Sequence, residues 1–367
     1  MRGNKPVFLD YASTCPVVKY PQQLYRNVLG EGYFFNPNAN YAYKEKRLLS
    51  EAENRVKKAI GAKSGKVIFG GTSSQLIENL MNAIGYERLG YEVVCSHYEH
   101  DSFYRYRDRD IFSLSDLKFE LDTADDGVKS IVMWQAVQNI TGEIFPTKQI
   151  GELIHQYHGF YICDGTAQIG HTPIEPNIDD WCDFYVFSGH KLGTELGIGC
   201  CWISDRLDEW FNSFKLHGTP NLAGALAMAR AVEDVCDKWL LYERIWHYAD
   251  LANCLSDELI RNNIEFNIVP EYPDNDEPPF AYAINAIRLP GIDANALQQY
   301  LASKRIYIGV GHSSCADSKD YRILQYGYNL SEKEASEVIR VSFGENSNSE
   351  DIRILVQSIK EFKEKFV

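Results

Sequence analysis

The stretch of sequence from residue 187 to residue 193 reads Phe187-Ser188-Gly189-His190-Lys191-Leu192-Gly193. It is a small polar turn directly after an apolar run of strand length, residues 183–188. Ligands of α/β proteins bind at the carboxyl edge of a parallel sheet, which is where such a turn lies. A lysine there can form a Schiff base with an aldehyde cofactor, while serine and histidine can bind a phosphate. Taken alone, the stretch is explained equally well as a solvated turn with an exposed lysine.

Outward from this turn, apolar runs alternate with amphipathic stretches through the first two-thirds of the chain. Residues 46–60 carry apolar side chains at helical spacing, and a long helical tract covers residues 221–261. This alternation predicts an α/β fold with a mostly parallel sheet that helices cover on both faces. The strand-like runs are residues 66–70, 92–96, 130–137, 160–164, 183–188 and 198–203.

The pattern of strands and helices restarts after a loop rich in proline and aspartate at residues 270–279. Strand-like and helix-like stretches then alternate again and end in an amphipathic helix. We therefore expect a large domain at residues 15–249 and a smaller α/β domain formed by residues 1–14 and 250–367.

The composition excludes several classes of protein. Of the 367 residues, 45% are hydrophobic and 24% are charged, as in an average soluble globular protein. Asp plus Glu number 51 against 37 Lys plus Arg, and the net charge of −14 makes a direct nucleic-acid partner unexpected. No run approaches the roughly 20 apolar residues of a membrane helix. With nine scattered cysteines, no C-x-x-C pair and no signal-like start, we expect a cytoplasmic protein without a membrane or metal site.

Residues that could bind a cofactor follow two other predicted strands. The run at residues 160–164 ends in Asp164, and a carboxylate there can pair with a protonated pyridine nitrogen, although turns and helix caps use aspartate more often. Glycines and hydroxyl residues, among them Thr72 and Ser73, lie between the run at residues 66–70 and an apparent helix. Backbone N–H groups at a helix start bind anions, but such turns often only cap the helix.

Together and in this order, these features resemble the pyridoxal-phosphate-dependent enzymes of fold type I. The details are similar to the class V aminotransferase branch and, within it, to the cysteine desulfurases. The resemblance implies a large domain with a mostly parallel sheet and a smaller α/β C-terminal domain. It covers almost the whole chain and is carried by residues 8–14, 36–40, 71–74, 99–100, 137–142, 164, 188–191, 218–221 and 339–342.

The resemblance implies pyridoxal 5'-phosphate as the cofactor. Lys191 would hold it covalently and move the substrate's α-proton, and His100 would stack on the pyridine face. Asp164 would pair with the ring nitrogen, and Asn139 would lie near the phenolic oxygen. The residues implied to bind the phosphate are Thr72, Ser73, Ser188 and His190.

Three more residues take roles from the same resemblance. Thr219 would reach the phosphate of the neighbouring subunit, which implies a homodimer. Arg340 would clamp the substrate carboxylate, a task that suits the fork of a guanidinium group. Gln168 is counted among the cofactor contacts, although the family's glutamine comes one position earlier, where this chain has Ala167.

Cys315 lies in a small, polar, turn-like segment, residues 311–317, that matches the family's nucleophile loop. An accessible thiolate there could attack the sulfur of an activated substrate and keep it as a persulfide. The loop mixes features of the two desulfurase groups, with Gly-His as in one and Ser-Ser before the cysteine as in the other. The alternative is a loop cysteine without a function.

The sequence therefore predicts an L-cysteine desulfurase that produces L-alanine and a persulfide on Cys315. Its partners would be L-cysteine, a second copy of the chain and a downstream sulfur-acceptor protein. A second interpretation is another class V enzyme with the same cofactor, namely an aminotransferase, a selenocysteine lyase or an epimerase, in which Cys315 is incidental. A third is a non-catalytic scaffold for sulfur transfer, which the presence of both Lys191 and Asp164 disfavours.

Overall fold

The computed structural model describes residues 5–31, 40–85, 90–124, 129–208, 219–271, 280–312 and 320–366. The chain divides into two compact units. Unit 1 consists of Met1–Cys15, Gln138–Ile144 and Tyr242–Val367, and unit 2 consists of Pro16–Val137 and Phe145–Leu241. In the part of the chain that the structure describes, no helix is both long and apolar enough to cross a membrane.

The described residues form strands and helices in alternation over most of the chain. The strands are β1 (Val7–Leu9), β2 (Lys66–Gly70), β3 (Glu92–Ser96), β4 (Arg109–Ile111), β5 (Ser130–Met133), β6 (Phe160–Asp164), β7 (Phe184–Ser188), β8 (Gly199–Ile203), β9 (Asn267–Val269), β10 (Ile284–Arg288), β11 (Ile306–Val310) and β12 (Val338–Ser342). The α-helices are Lys19–Gly30, Tyr43–Ala59, Ser73–Ile84, Asp101–Tyr104, Leu114–Thr123, Thr147–Gln156, Ile178–Trp181, Leu222–Cys236, Lys238–Arg261, Ala294–Ser303, Glu332–Ser336 and Ser349–Phe366.

Unit 2 is built on a seven-stranded sheet with the order β2-β8-β7-β6-β5-β3-β4. Neighbouring strands from β4 to β7 are parallel, and β8 is antiparallel to both β7 and β2. The connection from β7 to β8 contains the single 3₁₀ turn Gly189–Leu192, which is too short for the crossover that a parallel neighbour needs. The mostly parallel sheet that the sequence predicted is therefore confirmed.

Both faces of this sheet are covered. In β7 the side chains of Tyr185 and Phe187 join one buried apolar cluster, and those of Phe184 and Val186 join another. Because successive side chains of a strand point to opposite faces, a strand covered on both sides reads as a continuous apolar run. The helices Tyr43–Ala59 and Leu222–Cys236 contribute to the first cluster, and Ser73–Ile84 contributes to the second.

The helical tract that the sequence predicted at residues 221–261 consists of two helices, Leu222–Cys236 and Lys238–Arg261. Asp237 separates them with a non-helical ψ of 120°. Its Oδ1 accepts a hydrogen bond of 3.0 Å from the backbone N–H of Leu240, as an N-cap residue does. Asp237 thus ends one helix through its backbone conformation and begins the next through its side chain.

Unit 1 contains a five-stranded sheet with the order β1-β11-β12-β10-β9. β1 is parallel to β11, and the other pairs are antiparallel. The segment Gln138–Ile144 also belongs to this unit, although the sequence pattern placed it in the large domain. Gly142 explains the attachment, because its carbonyl oxygen accepts from the Ala281 N–H at 2.8 Å and a Cβ at this position would lie 2.4 Å from the Ile284 oxygen.

Candidate active site

The polar residues of unit 2 follow strands that run in one direction. β3, β6 and β7 are mutually parallel through β5, and β2 runs the same way because both β2 and β7 are antiparallel to β8. The carboxyl ends of these strands therefore lie at one edge of the sheet. This edge is where open α/β sheets bind their ligands. The residues that follow the four strand ends include Thr72, Ser73, His100, Asp164, Ser188, His190 and Lys191.

Hydroxyl groups from two strand ends meet at the start of the helix Ser73–Ile84. Thr72 caps the helix, and its Oγ1 accepts from the Gln75 N–H at 3.1 Å, so its own hydrogen stays available for donation. Ser73 Oγ and Ser188 Oγ lie 2.8 Å apart, and the Ser73 N–H points to Ser188 Oγ at 3.4 Å. The structure thus brings together three of the four residues expected at the phosphate.

Gly199 brings strand β8 close to this helix start. In β8 it pairs with both Gly70 and Ser188. A Cβ at Gly199 would lie 2.7 Å from the Thr72 carbonyl carbon and 3.0 Å from the Ser73 nitrogen, so only glycine lets the strand approach the helix start. Hydroxyl donors and the positive end of a 12-residue helix fit the phosphate of pyridoxal phosphate.

The pair of serine hydroxyls leads to the first prediction. One hydroxyl donates to the other, and the second hydrogen remains for a ligand. We expect Ser73→Ala to weaken binding of pyridoxal phosphate to the apoprotein by about tenfold, the loss of one hydrogen bond to a charged group. Fluorescence titration measures this, with Ser74→Ala as the control on the same helical turn. Unchanged affinity in Ser73→Ala would contradict the assignment.

Lys191 and His190 lie in the 3₁₀ turn that follows β7. The turn is closed by a hydrogen bond of 3.2 Å from the Thr194 N–H to the Gly189 oxygen, and Gly193 ends it with a positive φ of 73°. Lys191 is half-buried. Burial and the neighbouring Lys191 charge hold the pKa of His190 below its usual range. At neutral pH His190 is therefore neutral and offers one N–H donor rather than a positive charge.

Asp164 ends β6 and is buried, with 8% of its surface exposed. Its Oδ1 accepts from the Thr166 N–H at 2.8 Å. Gly165 lets the chain pass close to Tyr185, since a Cβ would lie 2.0 Å from its ring. A buried carboxylate held by one backbone donor keeps a second oxygen for a protonated partner.

The side-chain amide of Gln168 forms hydrogen bonds inside the core of unit 2. Its Oε1 accepts from the Tyr185 hydroxyl at 2.9 Å, and its Nε2 donates to the Pro173 carbonyl oxygen at 3.1 Å. The side chain is 2% exposed. Both ends of the amide are thus occupied by the fold, so we leave Gln168 out of the proposed cofactor contacts.

His100 precedes the short helix Asp101–Tyr104 as its N-cap. Its Nδ1 accepts from the Ser102 N–H at 3.2 Å and lies 2.9 Å from Ser102 Oγ. Because Nδ1 is an acceptor, the neutral ring carries its proton on Nε2. Ser102 therefore fixes both the orientation and the tautomer of the half-buried imidazole ring.

Arg340 lies in β12 of unit 1 and is 5% exposed. Its Nη2 donates to Asp10 Oδ1 at 2.9 Å and to Ser13 Oγ at 2.5 Å. Its Nη1 donates to the Asn139 carbonyl oxygen at 2.9 Å. A Cβ at Gly309 of the neighbouring strand would lie 2.8 Å from Arg340 Nε, so glycine is required beside the guanidinium. Unit 1 thus brings together Arg340 and Asn139, the two residues expected to contact substrate and cofactor from this part of the chain.

Asp10 and Ser13 were not identified from the sequence as partners of Arg340. Both lie in residues 8–14, a segment that carried part of the family resemblance without an assigned role. The partner of Asp10 is 330 residues away in the sequence. Local pattern alone does not reveal a pairing over that separation.

Two other residues were expected to be functional, Cys315 and Thr219, and the structure describes only Thr219. Cys315 lies outside the described residues, as does Gly218 of the segment 218–221. Near the cysteine segment, His312 Nε2 lies 3.0 Å from Asn295 Oδ1, and Asn295 Nδ2 donates to the Tyr321 hydroxyl at 3.2 Å. Thr219 is described and exposed. An exposed position leaves the threonine accessible to a second copy of the chain.

Several of the described cysteines are poor nucleophiles. Burial, with a contribution from Glu345, raises the pKa of Cys15 to about 12. Burial also raises the pKa values of Cys182, Cys200 and Cys201 well above the ordinary range. Because the thiolate is the attacking form, a raised pKa makes these four thiols weak nucleophiles at neutral pH.

Several known proteins are similar to this chain. The family model described as Aminotransferase class-V matches residues 7–355. The cysteine desulfurase IscS of Dictyoglomus turgidum is 26% identical over 254 residues, a match that spans 63% of this chain and 64% of that protein. The chain thus spans slightly less than two-thirds of this relative. IscS of Clostridium botulinum strain Hall is 23% identical, with 98% of this chain and 96% of the relative covered.

Among solved structures, the NifS-like protein of Rickettsia africae superposes with a TM-score of 0.82 at 18% identity. The match covers 98% of this chain and 100% of that chain. This likeness confirms the fold that the sequence predicted, a large mostly parallel sheet with a smaller α/β part. As the sequence also predicted, the chain belongs to the class V aminotransferase family, and its relatives there include proteins named cysteine desulfurases.

Proposed function

We propose that this protein is a pyridoxal-phosphate-dependent L-cysteine desulfurase. The observation that carries the proposal is the set of strand ends in unit 2, where Lys191 follows the strand whose Ser188 joins Ser73 at a helix start. Asp164 ends the adjacent parallel strand. A lysine, a carboxylate and a phosphate cradle on neighbouring strands form the minimal set for this cofactor. Relatives named cysteine desulfurases support the choice of substrate.

The residues of the proposed site fall into groups with different roles. Thr72, Ser73, Ser188 and His190 bind the phosphate. Lys191 would hold the cofactor through Nζ and would then carry the proton that leaves the substrate's α-carbon. Asp164 would accept a hydrogen bond from the ring nitrogen, and His100 would lie against the ring. When bound, pyridoxal phosphate supplies a ring that withdraws electrons from the substrate's α-carbon.

Arg340 binds the substrate carboxylate in this proposal, and the structure already fixes its guanidinium through Asp10, Ser13 and the Asn139 carbonyl. Such fixation limits the side-chain entropy that would otherwise be lost when the carboxylate binds. Asp10 also balances the charge of Arg340 before substrate arrives. Nη2 gives both of its hydrogens to Asp10 and Ser13, so the substrate carboxylate would bind the Nη1 hydrogen that Asn139 does not use.

Cys315 completes the reaction as the sulfur acceptor. Its thiolate attacks the sulfur of L-cysteine, a sulfur–sulfur bond forms, and the carbon–sulfur bond breaks. The electron pair of the broken bond stays on the substrate's β-carbon, which takes up a proton. The balance is L-cysteine plus enzyme thiol giving L-alanine plus enzyme persulfide. A downstream acceptor protein then removes the sulfur.

The direct test supplies the purified holoprotein with L-cysteine and a thiol reductant that releases sulfide. We expect alanine and sulfide in equal amounts. Release of pyruvate or transfer of the amino group to an oxo acid, without sulfide, would replace this proposal with another class V activity.

A homodimer and a cytoplasmic location belong to the same proposal. The eight cysteines in the described part of the chain, Cys315 not being among them, are free thiols, as in a reducing compartment. Thr219 lies exposed shortly before the helix Leu222–Cys236 and would donate its hydroxyl to the phosphate of the second subunit.

Thr219 gives a prediction that separates cofactor binding from assembly. We expect Thr219→Ala to weaken cofactor affinity by about threefold to tenfold, the effect of one hydrogen bond, while the mass in solution stays that of a dimer. Light scattering and cofactor titration measure the two quantities. Thr123→Ala, at another exposed threonine, is the control. A wild-type monomer that keeps its cofactor tightly is the result that overturns the role of Thr219.

A further inference from the structure

The loop that carries Asn139 is closed on itself by backbone hydrogen bonds. The Gln138 N–H donates to the Glu143 oxygen at 2.8 Å, and the Gly142 N–H donates to the Gln138 oxygen at 2.9 Å. Gln138 itself has no exposed surface. A buried amide side chain inside a closed loop can serve as a rigid reference for its neighbours.

The orientation of the Gln138 amide is determined by the backbone. Its Oε1 accepts hydrogen bonds from the backbone N–H groups of Ile140 and Thr141, the second at 3.0 Å. A flipped amide would place its NH₂ group against two donors, so this end must be the oxygen. The Nε2 end must therefore face the opposite way.

This orientation in turn determines the orientation of Asn139. Gln138 Nε2 lies 3.3 Å from Asn139 Oδ1. A donor at Gln138 requires an acceptor opposite, so the oxygen of Asn139 faces Gln138 and its NH₂ group is on the other branch. The main chain of Asn139 is held independently, because Arg340 Nη1 donates to its carbonyl oxygen. Asn139 is thus fixed as a hydrogen-bond donor toward any ligand that it meets.

We propose that Gln138 is a positioning residue that keeps the amide of Asn139 turned so that its NH₂ group is presented to an anionic oxygen of the bound ligand. This inference rests on the proposed function, under which the oxygen is the phenolic oxygen of pyridoxal phosphate. A donor stabilises the ionised form of that oxygen, whereas a flipped Asn139 would present a carbonyl oxygen and repel it. Gln138 does not touch the cofactor in this account and acts only through Asn139.

The test uses Gln138→Met, which keeps the side-chain length and removes the donor, and Gln138→Glu, which keeps the acceptor of the two backbone N–H groups. For Gln138→Met we expect affinity of the apoprotein for pyridoxal phosphate to fall about threefold to tenfold. The absorbance of the bound cofactor should also titrate at higher pH. Neither change should occur with a cofactor analogue that lacks the phenolic oxygen, or in an Asn139→Ala background.

The outcomes separate this inference from the proposed function. If both Gln138 variants bind and titrate as the wild type does, Gln138 does not position Asn139. If the loss in Gln138→Met persists with the analogue or in Asn139→Ala, the residue only supports the loop, and the inference is again wrong. A loss in Gln138→Met and in Gln138→Glu that disappears in Asn139→Ala supports it, because the two backbone N–H donors keep the introduced carboxylate ionised and its other oxygen draws the NH₂ group of Asn139 toward it. Normal behaviour of Gln138→Glu beside a loss in Gln138→Met contradicts it. A wild-type protein that binds no pyridoxal phosphate refutes the proposed function itself.

Discussion

Lys191→Ala should remove both the covalent link to the cofactor and all turnover of L-cysteine. Lys191 follows the strand-end segment Ser188-Gly189-His190, beside the phosphate cradle formed by Ser73 and Ser188. Proton transfer by a positioned side chain alone contributes about a hundredfold to ten-thousandfold to a rate, and the covalent link adds to that. We therefore expect activity at background while the fold is retained, since Lys191 is a half-buried side chain in a surface turn.

The measurement is borohydride reduction of the holoprotein followed by peptide mapping. In the wild type, the reduced cofactor should be found on the peptide that contains Lys191. Lys148→Ala is the control, because its half-buried side chain pairs with Glu152 one helical turn away. Cofactor on a different lysine, or normal turnover in Lys191→Ala, contradicts the assignment of the site.

Cys315→Ser should abolish sulfur transfer without affecting the binding of cofactor or substrate. Lys191, Asp164 and Arg340 are unchanged in this variant, so L-cysteine should still alter the cofactor's absorbance. Serine near neutral pH is a far poorer attacker of sulfur than a thiolate, so sulfide and alanine should both fall to background. Parallel assays of absorbance, alanine and sulfide test the three parts of this expectation.

A second cysteine provides the control for this experiment. Cys254 lies on the helix Lys238–Arg261, and burial raises the pKa of its thiol. Cys254→Ser should retain wild-type rates. If Cys315→Ser also retains wild-type alanine formation, then Cys315 is incidental, and an aminotransferase, lyase or epimerase activity becomes the better account.

The strand ends were predictable because they depend on local sequence. β6 and β7 are apolar runs that stop at a polar residue, and the observed ends at Asp164 and Ser188 agree with the sequence prediction. The start of the helix Ser73–Ile84 was predictable for the same reason, since hydroxyl residues after two glycines form its cap. Periodicity and capping are properties of neighbouring residues, and one sequence is enough to recognise them.

Other features of the site depend on contacts between distant residues, and these were not predictable. The ion pair of Asp10 with Arg340 joins residues 330 positions apart. The segment Gln138–Ile144 joins unit 1, where Gly142 accepts a hydrogen bond from Ala281. The amide of Gln168 is occupied by Tyr185 and Pro173, which only the folded chain reveals. These three features are therefore set by tertiary contacts, which the local sequence pattern does not show.

The central claim is that sulfur from L-cysteine passes to Cys315, and peptide mass spectrometry after a single turnover tests it most directly. The wild type is mixed with one equivalent of L-cysteine that carries an isotopic label on its sulfur atom, and the products are trapped by alkylation. One labelled sulfur atom should appear on the Cys315 peptide before it appears on any other cysteine peptide. One equivalent of alanine should appear with it. Alanine without label on Cys315, or label that appears first on another cysteine, would contradict the account.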